Sequence, residues 1–381
     1  MLLGFELWAL IGFTFAAYAV VGNDALQTLG TFINSNRRLH WTVLFSFAVF
    51  ILVATFTYGW IVNGGDPSFG RLNNTAKYPP IEIQWYHVLP PLVLLIITRL
   101  GIPVSTSFMV LTIFATGAGL ASMLEKSLIG YGLAFLTGGL LYLWISRALE
   151  PQFEKTSIED SVPRGLIIGA GAAYVLISQF LLAIKNNRET TAETGGEAAS
   201  LVDLFTQLFA NNTVLTLLGI LVVVEIVANL LASRRSGLYW VTVQWVTTGY
   251  LWSVWLIQDF ANIFVFLPRE LTFIQGFGAM AIIAVLLGYT FWNDGGPVQR
   301  ILRTKANVTD IRSATIIDLI YASLLFFFKE YSDIPMSTTW VFLGLIAGRQ
   351  YAFALMSEAV SLARSIVDTA EDVAKAYVGI V

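Results

Sequence analysis

Cysteine is absent from the 381 residues, and charge is scarce, with Lys, Arg, Asp and Glu together making 12% of the chain. The first absence excludes disulfides, thiolate metal sites and cysteine nucleophiles. The second excludes an ordinary soluble domain, in which about a quarter of the residues are charged. Histidine occurs only at His40 and His87. They are not at metal-ligand spacing, and each flanks an apolar segment as an interfacial polar residue does. No G-x-x-x-x-G-K-[ST] phosphate loop occurs, so ATP-driven transport by this chain alone lacks its usual machinery. A net charge of -3, with basic residues in ones and twos, leaves no patch for nucleic acid.

What is there is hydrophobic: 56% of the chain. Apolar runs able to cross a hydrocarbon core of about 30 Å recur along nearly the whole length. Read against polar breaks they lie at 4–34, 41–62, 87–99, 102–121, 127–146, 165–184, 206–232, 239–267, 272–292, 313–330 and 335–352. The expectation is an all-α, polytopic transmembrane helix bundle of about eleven segments in a lipid bilayer, with no soluble domain. The apolar N-terminal stretch lacks a basic leader region and is read as the first segment.

Orientation follows from the basic residues, which favour cytoplasmic loops. With the N-terminus outside, 15 of the 22 Lys and Arg fall on the inner side and 7 on the outer. The C-terminus is then cytoplasmic, and the plasma (inner) membrane is the expected location. The polar loops 63–86 and 185–205 are read as outer loops. After Tyr351 an amphipathic pattern predicts a helix that leaves the membrane or lies along it.

Two motifs recur in the same order. Gly22-Asn23-Asp24 and Ile257-Gln258-Asp259 each place a lone aspartate in an apolar run, and Pro103-Val104-Ser105-Thr106-Ser107 is echoed by Pro335-Met336-Ser337-Thr338-Thr339. From Asp24 to Pro103 is 79 residues, and from Asp259 to Pro335 is 76. Matched motifs at matched spacing mark an internal repeat. The two copies run in opposite directions in the topology above, so the repeats are inverted, and sites in such proteins form near the bilayer midplane. The organisation expected is a first repeat at 1–126, connecting transmembrane segments at 127–232, a second repeat at 233–352 and an amphipathic helix at 353–381. Broken helices and re-entrant hairpins belong to the same expectation. Segment 87–99 is too short to cross, so 87–121 reads as a hairpin with its tip at Gly101-Ile102-Pro103 and 313–352 as its mate.

A carboxylate inside a bilayer costs several kcal/mol on most estimates and persists where it meets a partner, an ion or water. Asp24 has Asn23 and Gln27 beside it, and Asp259 has Gln258 and Asn262. Carboxylate, amide and backbone carbonyl oxygens suit a hard monovalent cation, and unwinding near Gly22 would free carbonyls for it. A capping or interhelical aspartate is the plainer alternative. Proline starts helices well, which places Ser105, Thr106, Ser107, Ser337, Thr338 and Thr339 in first turns, where hydroxyls and free N–H groups cradle anions. Simple helix capping is the competing role. Arg99 would neutralise an anion near one hairpin tip or snorkel to the interface. An anion channel could use the same lining, and a paired-aspartate hydrolase is a rival of another class, although no enzymatic activity is expected.

These residues resemble the inorganic phosphate transporter family of cation-coupled symporters. Its members carry G-x-N-D-x-x-N and P-x-S-x-[ST] in each inverted half. Gly22-Asn23-Asp24 and Pro103 to Ser107 match the first half, while Asp259, Asn262 and Pro335 to Thr339 match the second. The match does not reach segments 127–232. The resemblance implies that the aspartates and amides bind sodium and phosphate and that the hydroxyls bind phosphate, with sodium as coupling ion and a homodimer as assembly, while a desolvated aspartate makes proton coupling the alternative. Gln27 and Gln258 stand where the family has asparagine, each one methylene longer, which reshapes an ion site. Relatives include sulfate permeases, so another oxyanion such as sulfate is the alternative substrate.

Overall fold

The computed structural model describes residues 5–99, 104–144, 165–194, 199–235, 237–293, 311–331 and 335–356, with short pieces at 147, 155–158, 366–367, 369–371 and 374. Every regular element among them is helical. In chain order they begin with α1 (Leu7–Val20), a π turn (Val21–Ala25), α2 (Leu26–Ser35) and α3 (Trp41–Val62). A 3-10 turn at Trp85–Val88 leads into α4 (Leu89–Arg99), followed by α5 (Thr106–Leu111) and α6 (Gly117–Trp144). Next come α7 (Leu166–Thr194), α8 (Leu201–Ala210), α9 (Asn212–Arg234) and α10 (Leu238–Phe264). The last are α11 (Phe273–Trp292), α12 (Ile311–Tyr331) and α13 (Thr338–Met356).

Five stretches are long and apolar enough to cross a membrane: Trp41–Val62, Gly117–Trp144, Ile167–Ile184, Val214–Arg234 and Phe273–Trp292. A sixth is the pair Leu7–Asn23 and Thr28–Ser35, bent by 52°. This is an integral membrane protein. The chain divides into two compact units, residues 1–150 with 244–381, and residues 151–243.

In the smaller unit α7, α8 and α9 pack on one another. Glu225 of α9 holds the start of α7, accepting from the Gly165 N–H at 2.7 Å and the Ile167 N–H at 3.1 Å. The Tyr239 hydroxyl also donates to it, at 3.2 Å. A carboxylate at a helix N-terminus satisfies donors that the helix leaves unpaired and opposes the positive end of its dipole.

In the larger unit the first motif breaks its helix. Glycine weakens a helix interior, and Asn23 and Asp24 offer the backbone competing hydrogen bonds. The chain accordingly widens into the π turn and bends. The second motif has Ile257 where the first has Gly22, and α10 runs unbroken past Asp259 to Phe264. The broken helix is therefore a property of the first copy among the described residues, not of both.

Four other boundaries differ from expectation. The run 102–121 is not one helix: α5 stops at Leu111 and a corner follows. Thr116 holds that corner, its N–H donating to the Lys77 carbonyl and its hydroxyl to the Ala76 carbonyl. A count of apolar residues does not register such a corner. Glu125 and Lys126, expected in a loop, lie within α6, where Lys126 is buried. The loop 185–205 is helical as far as Thr194, and the run 206–232 is divided between α8 and α9 at Asn211. The hairpin tip at 101–103 and most of the chain after Met356 lie outside the described residues.

α6 and α13 pack closely because small residues face one another. A Cβ at Gly348 would overlap the Phe135 carbonyl oxygen, one at Gly344 would overlap that of Tyr131, and one at Gly138 would sit 2.5 Å from that of Leu345. Glycine spaced by four lets two membrane helices approach to backbone contact. This seam positions the start of α13.

Candidate functional site

The two Pro-Ser-Thr segments fold alike at their first turns. The Ser105 hydroxyl accepts from the Phe108 N–H at 3.2 Å, and the Ser337 hydroxyl accepts from the Trp340 N–H at 3.3 Å. Both serines are helix N-caps, which satisfy donors that the first turn would otherwise bury unpaired. The Ser337 N–H in turn donates to the Ser127 hydroxyl of α6 at 3.0 Å. Capping fixes the backbone from which the next two hydroxyls project.

Those hydroxyls meet the second aspartate motif. Asp259 and Asn262 are three residues apart and share one face of α10. Thr338 donates through Oγ1 to Asp259 Oδ2 at 3.0 Å. Asn262 directs its Nδ2 donor to Asp259 Oδ1, to Ser107 Oγ at 3.0 Å and to Thr106 Oγ1 at 3.3 Å. Ser107 donates to the Met336 carbonyl at 2.9 Å. The Val104 carbonyl accepts from Asn23 Nδ2 at 2.8 Å and from Thr339 Oγ1 at 3.3 Å. One polar network thus joins both motif pairs, and Asn23, Ser105, Thr106, Ser107, Asp259, Asn262, Ser337, Thr338 and Thr339 are each at most 1% exposed.

Other expected members stand apart or lie outside the description. The side chains of Asp24 and Gln27 are outside the described residues; Asp24 belongs to the π turn, and Gln27 lies in α2. Gln258 points toward α12, its Nε2 donating to the Leu325 carbonyl at 2.9 Å. Arg99 is exposed at the end of α4, its guanidinium donating to the Tyr18 hydroxyl at 3.2 Å. Hydrogen bonding to a tyrosine from an exposed position is what an interfacial arginine does.

The donor set is oxygen-rich. Asn262 Oδ1 and Gln258 Oε1 are buried acceptors without a hydrogen-bond partner, and a buried acceptor left so costs about 1–3 kcal/mol. Asn262 Oδ1 and the Asp259 carboxylate, on one face of α10, are oxygens of the kind a hard cation prefers, whereas Gln258 Oε1 belongs to the side chain that bonds to α12. Among the described residues no group of three or more His, Cys, Asp or Glu side chains gathers. The hydroxyls of Thr106, Ser107, Thr338 and Thr339 can turn to donate to an oxyanion. Dipole support for an anion comes from α13, since α5, at six residues, is too short to sum an appreciable dipole. Here the hydroxyls bond to Asp259, Asn262 and backbone carbonyls, so a ligand entering would replace those bonds.

Two participants, and one buried carboxylate outside the network, were not apparent from the sequence. Ser127 and the Val104 carbonyl join the network through packing, and no local pattern marks them. Asp318 is a buried carboxylate in the apolar run of α12. Its signal, one acidic residue in an otherwise apolar stretch, was available but had no counterpart in the other half.

Comparison with protein-family models and with curated proteins finds no match. Among solved structures the chain is similar to one described as the sodium-dependent phosphate transporter, at 15% identity and a TM-score of 0.59, over 98% of this chain and 96% of that one. At that identity the likeness establishes the fold: this is a polytopic helical membrane protein with the architecture of a transporter of known structure.

Proposed function

We propose that the protein is a secondary active symporter in which sodium (or a proton) moving down its gradient drives the uptake of inorganic phosphate. The observation that carries this reading is the sealed network in which Asp259 and Asn262 meet hydroxyls from both Pro-Ser-Thr segments. The likeness of fold to a protein described as a sodium-dependent phosphate transporter supports it. Asp259, with Asn262 and the first-copy residues Asn23, Asp24 and Gln27, would hold cations, Gln258 adding its unpaired oxygen. Thr106, Ser107, Thr338 and Thr339 would hold the oxyanion, with Ser105 and Ser337 fixing the turns that present them.

Phosphate near neutral pH keeps at least one O–H that an ionised Asp259 can accept from, whereas sulfate offers only acceptors. Alternating access would proceed by motion of the motif-bearing elements against the remaining helices, which opens the closed network to one side at a time. The inverted repeats, a homodimer and an inner-membrane location with the N-terminus outside complete the reading.

The test is uptake of labelled phosphate into proteoliposomes, with and without a sodium gradient and with sulfate as competitor. Sodium-driven uptake supports the reading, and uptake under a pH gradient alone changes the coupling ion. Labelled sulfate accumulating as fast as phosphate removes the phosphate assignment. Asn262→Ala deletes the donor shared by Asp259, Thr106 and Ser107. Uptake at subsaturating phosphate is expected to fall at least about tenfold, since one hydrogen bond to a charged group contributes roughly 1.5–3 kcal/mol. Unchanged uptake in this variant would remove Asn262 from the site.

A further inference from the structure

Asp318 is buried where α12 faces α2 and α10, and its two oxygens are engaged separately. Oδ1 accepts from the Thr31 hydroxyl of α2 at 2.7 Å, and Oδ2 from the Thr248 hydroxyl of α10 at 2.9 Å. The carboxylate also lines a cavity of about 90 Å³ with Tyr142, Tyr321 and Arg349 on its walls. That volume admits a few water molecules.

The position links Asp318 to both motif copies. Thr31 lies on the segment that follows the π turn at Asn23 and Asp24. Thr248 precedes Asp259 by eleven residues, about three turns, so the two share a face of α10. Tyr321, one turn beyond Asp318, donates from its hydroxyl to the Thr338 carbonyl at 3.4 Å, and Thr338 itself bonds to Asp259.

We propose that Asp318 is a second coupling site, a carboxyl that takes up and releases a proton while tying α2 to α10. A lone carboxylate charge at membrane depth is expensive and marks proton relays where water reaches it. On protonation a hydronium ion from the cavity water gives up its proton, an O–H forms on one Asp318 oxygen, and neutral water remains. The bonds from Thr31 and Thr248 then cease to be charge-assisted and weaken by about half, loosening the tie between the broken helix and α10. The charged and titratable groups facing Asp318 across the cavity are Tyr142 of α6, Tyr321 of α12 and Arg349 of α13, whose guanidinium lies 5.3 Å from the centre of the Tyr142 ring. The mostly apolar walls leave a metal cation too few oxygen ligands, whereas a proton needs one oxygen. The coupling role rests on the transport reading, and the proton site does not.

Infrared difference spectroscopy of the protein reconstituted in lipid, stepped in pH without phosphate, tests the site directly. Acidification is expected to raise a carboxylic-acid C=O band that is lost in Asp318→Asn and insensitive to added sodium. Thr248→Val is expected to move the band's frequency, because the carboxyl loses a donor, and it serves as the readout should Asp318→Asn fail to fold. A full-amplitude band in Asp318→Asn, an unmoved band in Thr248→Val, or a band abolished by sodium at constant pH would overturn the proposal. A band that behaves as expected in a protein that moves no phosphate would reject the transport reading and leave the proton site standing.

Discussion

Asp259→Asn is expected to lower sodium-driven phosphate uptake in proteoliposomes by about a hundredfold while the protein remains folded. The substitution keeps the shape of the side chain and removes its charge. Asp259 is completely buried and accepts from Thr338 and Asn262. The amide replaces one acceptor oxygen by a donor, so the Thr338 hydroxyl must turn from donating to accepting or the Asn262 bond is lost, and neither bond stays charge-assisted. Hydrogen bonds to charged groups contribute roughly 1.5–3 kcal/mol each, and 1.4 kcal/mol is tenfold in an equilibrium. On the proposed reading, in which Asp259 helps to hold a cation, the loss of its charge adds to this and leaves Asp24 as the remaining carboxylate of the ligand set. Folding is expected to be spared because the amide keeps the shape of the side chain and can still hydrogen-bond within the network. Wild-type uptake in Asp259→Asn would show that the carboxylate is structural. Loss of uptake with normal thermal unfolding places it in the transport path.

The elements legible in the sequence were those with a signal independent of distant packing. Asp259 was legible because an acidic residue in an apolar run is costly, and because a second copy stood at matched spacing. Ser105 and Ser337 were legible as helix starts because capping is local. The π turn was legible for the same reason, Gly22 and Asn23 weakening the helix where they sit. Asp318 has the same cost as Asp259 but no copy, and its partners are 287 and 70 residues away in sequence. Ser127 was invisible because its bond to Ser337 exists only once α6 and α13 are packed. The corner at 112–116 escaped because Thr-Ile-Phe-Ala-Thr reads as apolar, although Thr116 bends the chain through bonds to the preceding loop. For Arg99 the sequence left an anion ligand and an interfacial arginine equally open, and its exposed bond to the Tyr18 hydroxyl fits the second.

Gly348→Val is expected to lower the thermal unfolding midpoint of the detergent-solubilised protein by several degrees and to weaken transport as well. A Cβ at this position would overlap the Phe135 carbonyl oxygen, and the Gly139 backbone nitrogen is 2.7 Å away. Neither obstacle is the end of a flexible side chain, so the helices themselves must separate. Overpacking of this kind costs about 1–3 kcal/mol, occasionally more, and a backbone clash belongs at the upper end. In a protein of this size each kcal/mol moves the midpoint by roughly 2–4 °C or less. The second effect follows from what the seam positions. α6 supplies Ser127 to the Ser337 N–H, and separating α6 from α13 would lengthen that bond and displace Thr338 from Asp259. A serine at 127 on a displaced helix cannot hold the Ser337 N–H, whereas a substitution at Gly132, where a Cβ meets nothing within 4 Å, leaves the seam intact. Gly132→Val is therefore the control, expected to unfold and transport nearly as the wild type does. Equal loss in both variants would mean that valine disturbs α6 and α13 generally. Loss confined to Gly348→Val would tie the geometry of the hydroxyl site to the close approach of these two helices.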